Sequence, residues 1–315
     1  MLVNVRWLLM LLPFALWGTA MAAMKPLLDG AGPLTLAWLR LLPAGLVLLL
    51  ASRLWRGGWG VDRRDWGWLL LFALVDATAF QGLLARGLQG TGAGLGSVLI
   101  DSQPLLVALL ARSLFGDAIN PVGWLGLLVG LLGILCLGLP APLLRHWWLM
   151  GPEALGEAAW SHGELWMLAA ALAMALGTVI SRYACRHSDA VAVTGWHMVL
   201  GALPLLAGSA VLPSPAFWPV WSAAQWGLMA YAALLGSAVA YGLFFWFANH
   251  GDLTSFTSLT FLTPVFALMC GVVLLEEQLE PLQWLGAALA LVSVVLINRR
   301  AVLWHPAGVA VEVVP

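Results

Sequence analysis

The chain has 315 residues, of which 62% are hydrophobic and only 9% charged, with a mean hydropathy of +0.94. A water-soluble domain carries about 25% charged residues, so the polar side chains here are too few to cover a water-facing globule, and the composition is that of an integral membrane protein. Its 14 basic and 15 acidic residues provide no field for nucleic acid and no acidic tail. The three cysteines, Cys136, Cys185 and Cys270, are odd in number and far apart, and they support neither a disulfide framework nor a thiolate metal site.

A helix needs about 20 mostly apolar residues to cross the hydrocarbon core. In chain order, the runs between Gly, Pro and charge predict spans at 5–24, 33–52, 66–85, 93–114, 122–139, 164–182, 190–212, 225–247, 254–275 and 281–298. Basic residues gather on cytoplasmic loops. With a cytoplasmic N-terminus, ten spans place Arg6, Arg53, Arg56, Arg63, Arg64, Arg112, Arg182, Arg186, Arg299 and Arg300 inside, Lys25, Arg86 and Arg145 outside, and Arg40 within the membrane. Both termini are therefore expected on the cytoplasmic side of the cell (inner) membrane. The start, with Arg6 and Thr19-Ala20-Met21-Ala22-Ala23, also fits a cleaved signal peptide, an alternative that would leave nine spans.

The second half repeats the first. At an offset of 160, residues 66–138 align with 226–298 without a gap: Trp66-Gly67 meets Trp226-Gly227, Gly82 meets Gly242, Pro104 meets Pro264, and Pro121, Trp124 and Gly126 meet Pro281, Trp284 and Gly286. At 159, Gly18-Thr19 meets Gly177-Thr178, which favours a retained first helix. Five spans per half is an odd number, so the second copy enters the membrane from the opposite side. The fold expected is all-α, with ten transmembrane helices as a 5+5 inverted repeat, the architecture of alternating-access carriers with a midplane site. The repeats are expected at 5–139 and 164–299, with an extracytoplasmic linker at 140–163 and a cytoplasmic tail at 300–315.

The chain resembles the EamA-like carriers of the drug/metabolite transporter superfamily. The resemblance rests on Leu16-Trp17-Gly18 with Lys25, on Pro33 and Arg40, and on the run from Gly90 to Pro104 followed by Leu114, Phe115, Gly116 and Asp117. In the second half it rests on Thr254 to Pro264, Leu274 to Glu277, and Gly286. Asp117 stands where the pattern usually has Glu. The stretches Asp76-Ala77-Thr78-Ala79-Phe80-Gln81 and Ile100-Asp101-Ser102-Gln103-Pro104 resemble a cyanobacterial and plastid branch of the family. For that branch the resemblance implies a transporter and no particular substrate.

Arg40, Asp76 and Asp101 lie within spans. Each costs roughly 2.5 to 3.5 kcal/mol at the centre of a helix, so all three are expected to face the interior. A rise of about 1.5 Å per residue places Asp76 about 15 Å from the inner edge, Asp101 about 12 Å and Arg40 about 10 Å from the outer edge, close enough in depth to cluster. Either Arg40 pairs with an Asp and only locks helices, or the surplus carboxylate binds a proton, a cation or a substrate amine. An acid without a basic partner holds its proton more readily than a paired one. Pro104 and Pro264 are expected to kink their helices, freeing the carbonyls of Ile100 and Thr260; the bends either fit packing or line a pathway. Gln81, Gln103, Thr257 and Thr260 are further candidates for binding substrate or proton, unless the hydroxyls bond their own helix. Trp17 and Tyr241, the latter opposite Gln81 in the repeat, are candidates to wall the cavity. His197 is either a proton ligand or a satisfied neutral core histidine. The other tryptophans, among them Trp7, Trp55, Trp66, Trp147, Trp148 and Trp284, read as interfacial anchors.

No P-loop is present, so a secondary carrier of an amino acid or other small organic solute is expected, with no cofactor, no metal, no nucleic acid and no obligate protein partner beyond the lipid bilayer. The rivals are a channel or scaffold and an intramembrane aspartyl protease. The protease reading suffers because Val75 precedes Asp76, Ser97 follows Gly94-Leu95-Gly96, and Pro-Ala-Leu is absent. The chain is therefore not expected to be an enzyme.

Overall fold

The computed structural model describes residues 2–28, 30–91, 93–138, 162–211, 218–275 and 280–304, and the regular structure among them is helical. Ten of its helices are long and apolar enough to cross a membrane: α1 Val5–Met24, α2 Pro33–Trp55, α3 Trp66–Gly90, α4 Val98–Phe115, α5 Pro121–Gly138, α6 Gly163–Ala184, α7 Ala190–Val211, α8 Ala223–Asn249, α9 Leu253–Cys270 and α10 Pro281–Asn298. They coincide with the expected spans, and local capping sets several of the ends. α8 starts at Ala223 because Ser222 and Gln225 form a reciprocal capping box, and α10 starts at Pro281 behind a similar exchange between Glu280 and Gln283. The linker expected at 140–163, with Arg145, Trp147 and Trp148, lies outside the described residues up to His162, where helix resumes. Glu276, Glu277 and the tail from 305 also lie outside them.

α3 packs on α6 as α8 packs on α1, α4 on α6 as α9 on α1, and α3 on α7 as α8 on α2. In three further pairs, α2–α7, α4–α9 and α5–α10, each helix packs against the one five places on. α3 and α8 each contain a π-helical stretch, Ala73–Phe80 and Leu234–Val239, at matching places in the 160-residue register.

The surface is apolar where lipid would lie. Leu46, Leu50 and Leu54 on α2, Leu125, Leu128 and Leu132 on α5, and Leu291, Val292 and Val295 on α10 are all exposed. Trp7, Trp55, Trp66 and Trp284 are exposed near helix ends, as interfacial anchors would be. The opposite face of α5 is built from small residues. A Cβ on Gly133 would meet Ala290 N at 2.8 Å and Gly286 O at 3.0 Å, and one on Gly286 would meet Gly133 O at 2.7 Å. Ser293 donates to Gly126 O at 2.7 Å. Missing side chains let the two backbones touch, and this close packing substitutes for a hydrophobic effect that lipid cannot supply.

Gly133→Ala inserts a methyl against backbone atoms that cannot turn aside, and should cost about 1 to 3 kcal/mol. Gly67 has nothing within 4 Å of such a methyl, and Gly67→Ala should change stability by no more than about 0.5 kcal/mol. Thermal melting of the two variants in detergent distinguishes them.

Candidate functional site

Asp76 lies in the middle of the π-helical stretch of α3, completely buried. π turns are short, strained departures from the α-helix that recur at functional sites. The carboxylate oxygen Oδ2 sits 3.0 Å from Nε2 of His197 on α7, itself buried. Gly177 of α6 makes room for the acid, since a Cβ there would lie 2.5 Å from Asp76 Cβ and Oδ1. The other oxygen, Oδ1, has no hydrogen-bond partner among the described residues. Phe72 stacks on the imidazole with centroids 4.0 Å apart, and Phe245 meets it edge-on at 5.4 Å.

The second ring nitrogen determines how many protons this pair can hold. His197 Nδ1 lies 2.7 Å from the carbonyl oxygen of Thr194. A carbonyl only accepts, so Nδ1 carries a hydrogen. Between Nε2 and Oδ2 there is then one further proton: either His197 is imidazolium and Asp76 a carboxylate, or the imidazole is neutral and accepts from a protonated Asp76. With that proton removed, the Nε2 lone pair and a carboxylate charge would face each other at hydrogen-bond distance, so the contact is attractive only when one proton lies between the two groups.

Arg40 does not pair with Asp76. Its Nη2 donates to Gln81 Oε1 and its Nη1 points to Met24 Sδ at 3.3 Å. Gln81 lies more than a turn beyond Asp76 toward the Gly90 end of α3, at the depth of Arg40, whereas Asp76 is turned to α6 and α7. The Gln81 amide donates onward to Tyr241 OH at 2.8 Å, and the Tyr241 ring lies 4.9 Å from that of Trp17. Gln81 and Tyr241 are 160 residues apart, which is the offset of the repeat. Asp101 is buried at the end of the helical segment Ala93–Asp101.

Next to Asp101, α4 is interrupted: Ser102 is a turn residue, and helix resumes at Gln103-Pro104. α9 tightens into a 3₁₀ turn over Ser258–Leu262, just ahead of Thr263-Pro264. Gln103 reaches Thr178 of α6 at 3.3 Å, while its Oε1 has no partner among the described residues. Thr257 bonds its own helix through Leu253 O at 2.8 Å, but the hydroxyls of Thr254, Thr260 and Thr263 are buried without partners among the described residues. Among those residues no group of three His, Cys, Asp or Glu is placed to hold a metal ion.

At the end of the bundle where the basic loops meet, the two halves of the chain are joined by polar contacts. Asp65, buried before α3, accepts from His187 N at 2.9 Å and Ser188 Oγ at 2.7 Å, and its Oδ1 lies 2.9 Å from His187 Nδ1. Burial pushes this carboxyl up, yet these hydrogen bonds outweigh burial and hold it below the ordinary range. Arg56 pairs with Asp189 at 3.3 Å, and Asn120 donates to Arg300 O at 2.6 Å. Sequence reasoning missed this junction, whose members look like separate loop residues.

The model of the EamA-like transporter family matches residues 6–139 and again 161–299. The chain belongs to that family. An uncharacterized transporter of Synechocystis sp. is 51% identical to it over 301 residues, covering 94% of this chain and 91% of the relative. A WAT1-related chloroplastic protein of Arabidopsis thaliana is 46% identical over 299 residues, 93% of this chain and 69% of the relative. An uncharacterized inner membrane transporter of Escherichia coli is 24% identical over 302 residues. A solved crystal structure, 21% identical, superposes with a TM-score of 0.73 over 93% of this chain and 96% of the other, which shows a shared fold. The resemblance to a cyanobacterial and plastid branch of EamA-like proteins thus holds, and the chain is a multi-pass membrane transporter.

Asp65→Asn should lower the melting temperature at neutral pH, because hydrogen bonds to a charged acceptor are worth about 1.5 to 3 kcal/mol. A depressed carboxyl contributes stability that is fully present above its unfolded value of about 3.9 and is lost as pH falls through the folded one. The gap between wild type and variant should therefore be present at neutral pH and close once the carboxyl itself is protonated in acid, as checked by detergent melts; a gap that survives protonation of the carboxyl would contradict the assignment.

Proposed function

We propose that this transporter is a secondary carrier that moves a small organic solute, an amino acid or similar metabolite, by alternating access, with Asp76 and His197 as the proton-coupling site. The observation that carries the reading is the 3.0 Å contact of His197 Nε2 with Asp76 Oδ2, buried between α3 and α7 and braced by α6. Loss of its proton sets a lone pair against a carboxylate charge and turns one attraction between these helices into a repulsion, leaving the Thr78 bond to Gly201 O at 2.9 Å beside it. Protonation is thereby tied to how firmly α3 and α7 hold together, which is what a coupled carrier requires of its ion site.

The arrangement of helices supports an inverted repeat as the frame for this motion. A residue that touches its own repeat counterpart lies on the axis relating two copies, and Gln81 and Tyr241 touch at the repeat offset. The counterpart pairs α2–α7, α4–α9 and α5–α10 agree with the same axis. The junction of Asp65, His187, Ser188, Arg56 and Asp189 belongs to the loops expected on the cytoplasmic side, so we read the structure as closed toward the cytoplasm, with both termini there and the protein in the inner membrane.

Proteoliposomes offered a panel of amino acids, amines and sugar phosphates should show saturable counterflow, which a channel or scaffold would not. Accumulation driven by an imposed pH gradient should be lost in Asp76→Asn and His197→Gln, while counterflow at equal pH on both sides persists. Wild-type accumulation by Asp76→Asn, with unchanged pH dependence, would remove the proton role.

A further inference from the structure

Arg40 is a cation in the protein interior, with an exposure of 6%, and a guanidinium cannot shed its proton to escape the cost. Buried charges are paired with an opposite charge or abandoned. Among the described residues no carboxylate lies within ion-pair distance of Arg40; it faces the Gln81 amide, the Met24 thioether and the Tyr241 phenol, all uncharged. Among the described residues its Nε has no acceptor, and neither has Trp17 Nε1 on the far side of Tyr241. Gln81 cannot turn its other end to the guanidinium without breaking the bond its amide gives Tyr241. Among the described residues, donors are in surplus here and no carboxylate answers them.

A cavity of about 20 Å³ opens beside Arg40 and Gln81, walled by Met24, Leu36, Leu84 and Leu88. That is room for one water-sized group, so a larger ligand would enter only as the helices part. A permanent Asp beside Arg40 would neutralise it and compete with any anion. Gln81 instead orients the fork and leaves its charge available.

We infer that Arg40, held by Gln81, is an anion subsite of the transport pathway, and that the solute carried bears a carboxylate on a short apolar body. The fork of a guanidinium matches the two oxygens of a carboxylate, and the leucine walls suit an aliphatic remainder. This rests on the carrier reading above and adds a substrate class to it.

The test uses leucine with leucinamide, and isovalerate with isovaleramide, on the purified full chain. Two readouts are needed: ligand-induced change in melting temperature, and counterflow in proteoliposomes. The acids should stabilise and exchange while their amides do neither. Gln81→Glu sets an internal carboxylate against Arg40; it should melt higher than wild type without ligand, and should lose the acid-dependent shift and the exchange. Arg40→Lys, which keeps charge but not the fork, should weaken acid binding about tenfold or more. Equal binding of acid and amide, or unchanged acid binding in Gln81→Glu, overturns the anion subsite. The two readings fail separately: exchange of an amide but not its acid leaves a carrier without this subsite, whereas an acid-specific melting shift with no counterflow leaves the subsite and removes the carrier.

Discussion

The carbonyl of Thr194 can receive a hydrogen bond but not give one, and it lies 2.7 Å from His197 Nδ1. That one contact selects the imidazole tautomer, and the tautomer decides what the Asp76 side of the ring can be. Nε2 then meets the acid either as part of a cation or as a bare lone pair, and only a shared proton makes the 3.0 Å approach attractive. The same carboxyl sits in a π-helical turn and against a glycine, so α3, α6 and α7 are all positioned around it. The coupling role proposed for this site needs a proton whose loss changes helix packing, and ordinary hydrogen-bond chemistry between Asp76 and His197 would supply that link.

The rest of the bundle contrasts a backbone-to-backbone interface with a polar centre. α5 and α10 meet through Gly126, Gly133, Gly286 and Ser293, backbone against backbone, an interface with no polar group that titrates and no room to slide. The centre is different: Arg40, Gln81, Tyr241 and Trp17 form a chain of contacts between halves, with neutral groups where an ion pair would be stronger. Neutral partners exchange for a ligand at less cost than a buried counter-ion, which would leave an unpaired charge behind.

Hydropathy located the ten spans because crossing a membrane imposes a length, and that length is written residue by residue. The interior acids and Arg40 were legible as interior for the same reason of cost. Their partners were not. Charge complementarity suggested Arg40 with an Asp, yet Arg40 binds a glutamine, because depth and helix rotation decide contacts and neither is encoded in composition. The repeat set Gln81 opposite Tyr241, and only the fold brings them to 2.8 Å. His197 was readable as either ligand or core residue; that it meets Asp76 of α3 while bonded to Thr194 of its own helix is a tertiary fact. Gly177 stood out only as half of a repeated Gly-Thr, with nothing to say that a Cβ there would strike Asp76.

The most direct measurement is the protonation state of His197 in bilayers, by solid-state nitrogen NMR on protein labelled at histidine and assigned with His197→Gln. The account predicts that Nδ1 is protonated throughout, and that at the pH where the site is closed Nε2 reports a proton shared with Asp76, lost in Asp76→Asn. A neutral ring protonated at Nε2 alone, with Nδ1 bare toward Thr194 and no response to Asp76→Asn, would contradict it.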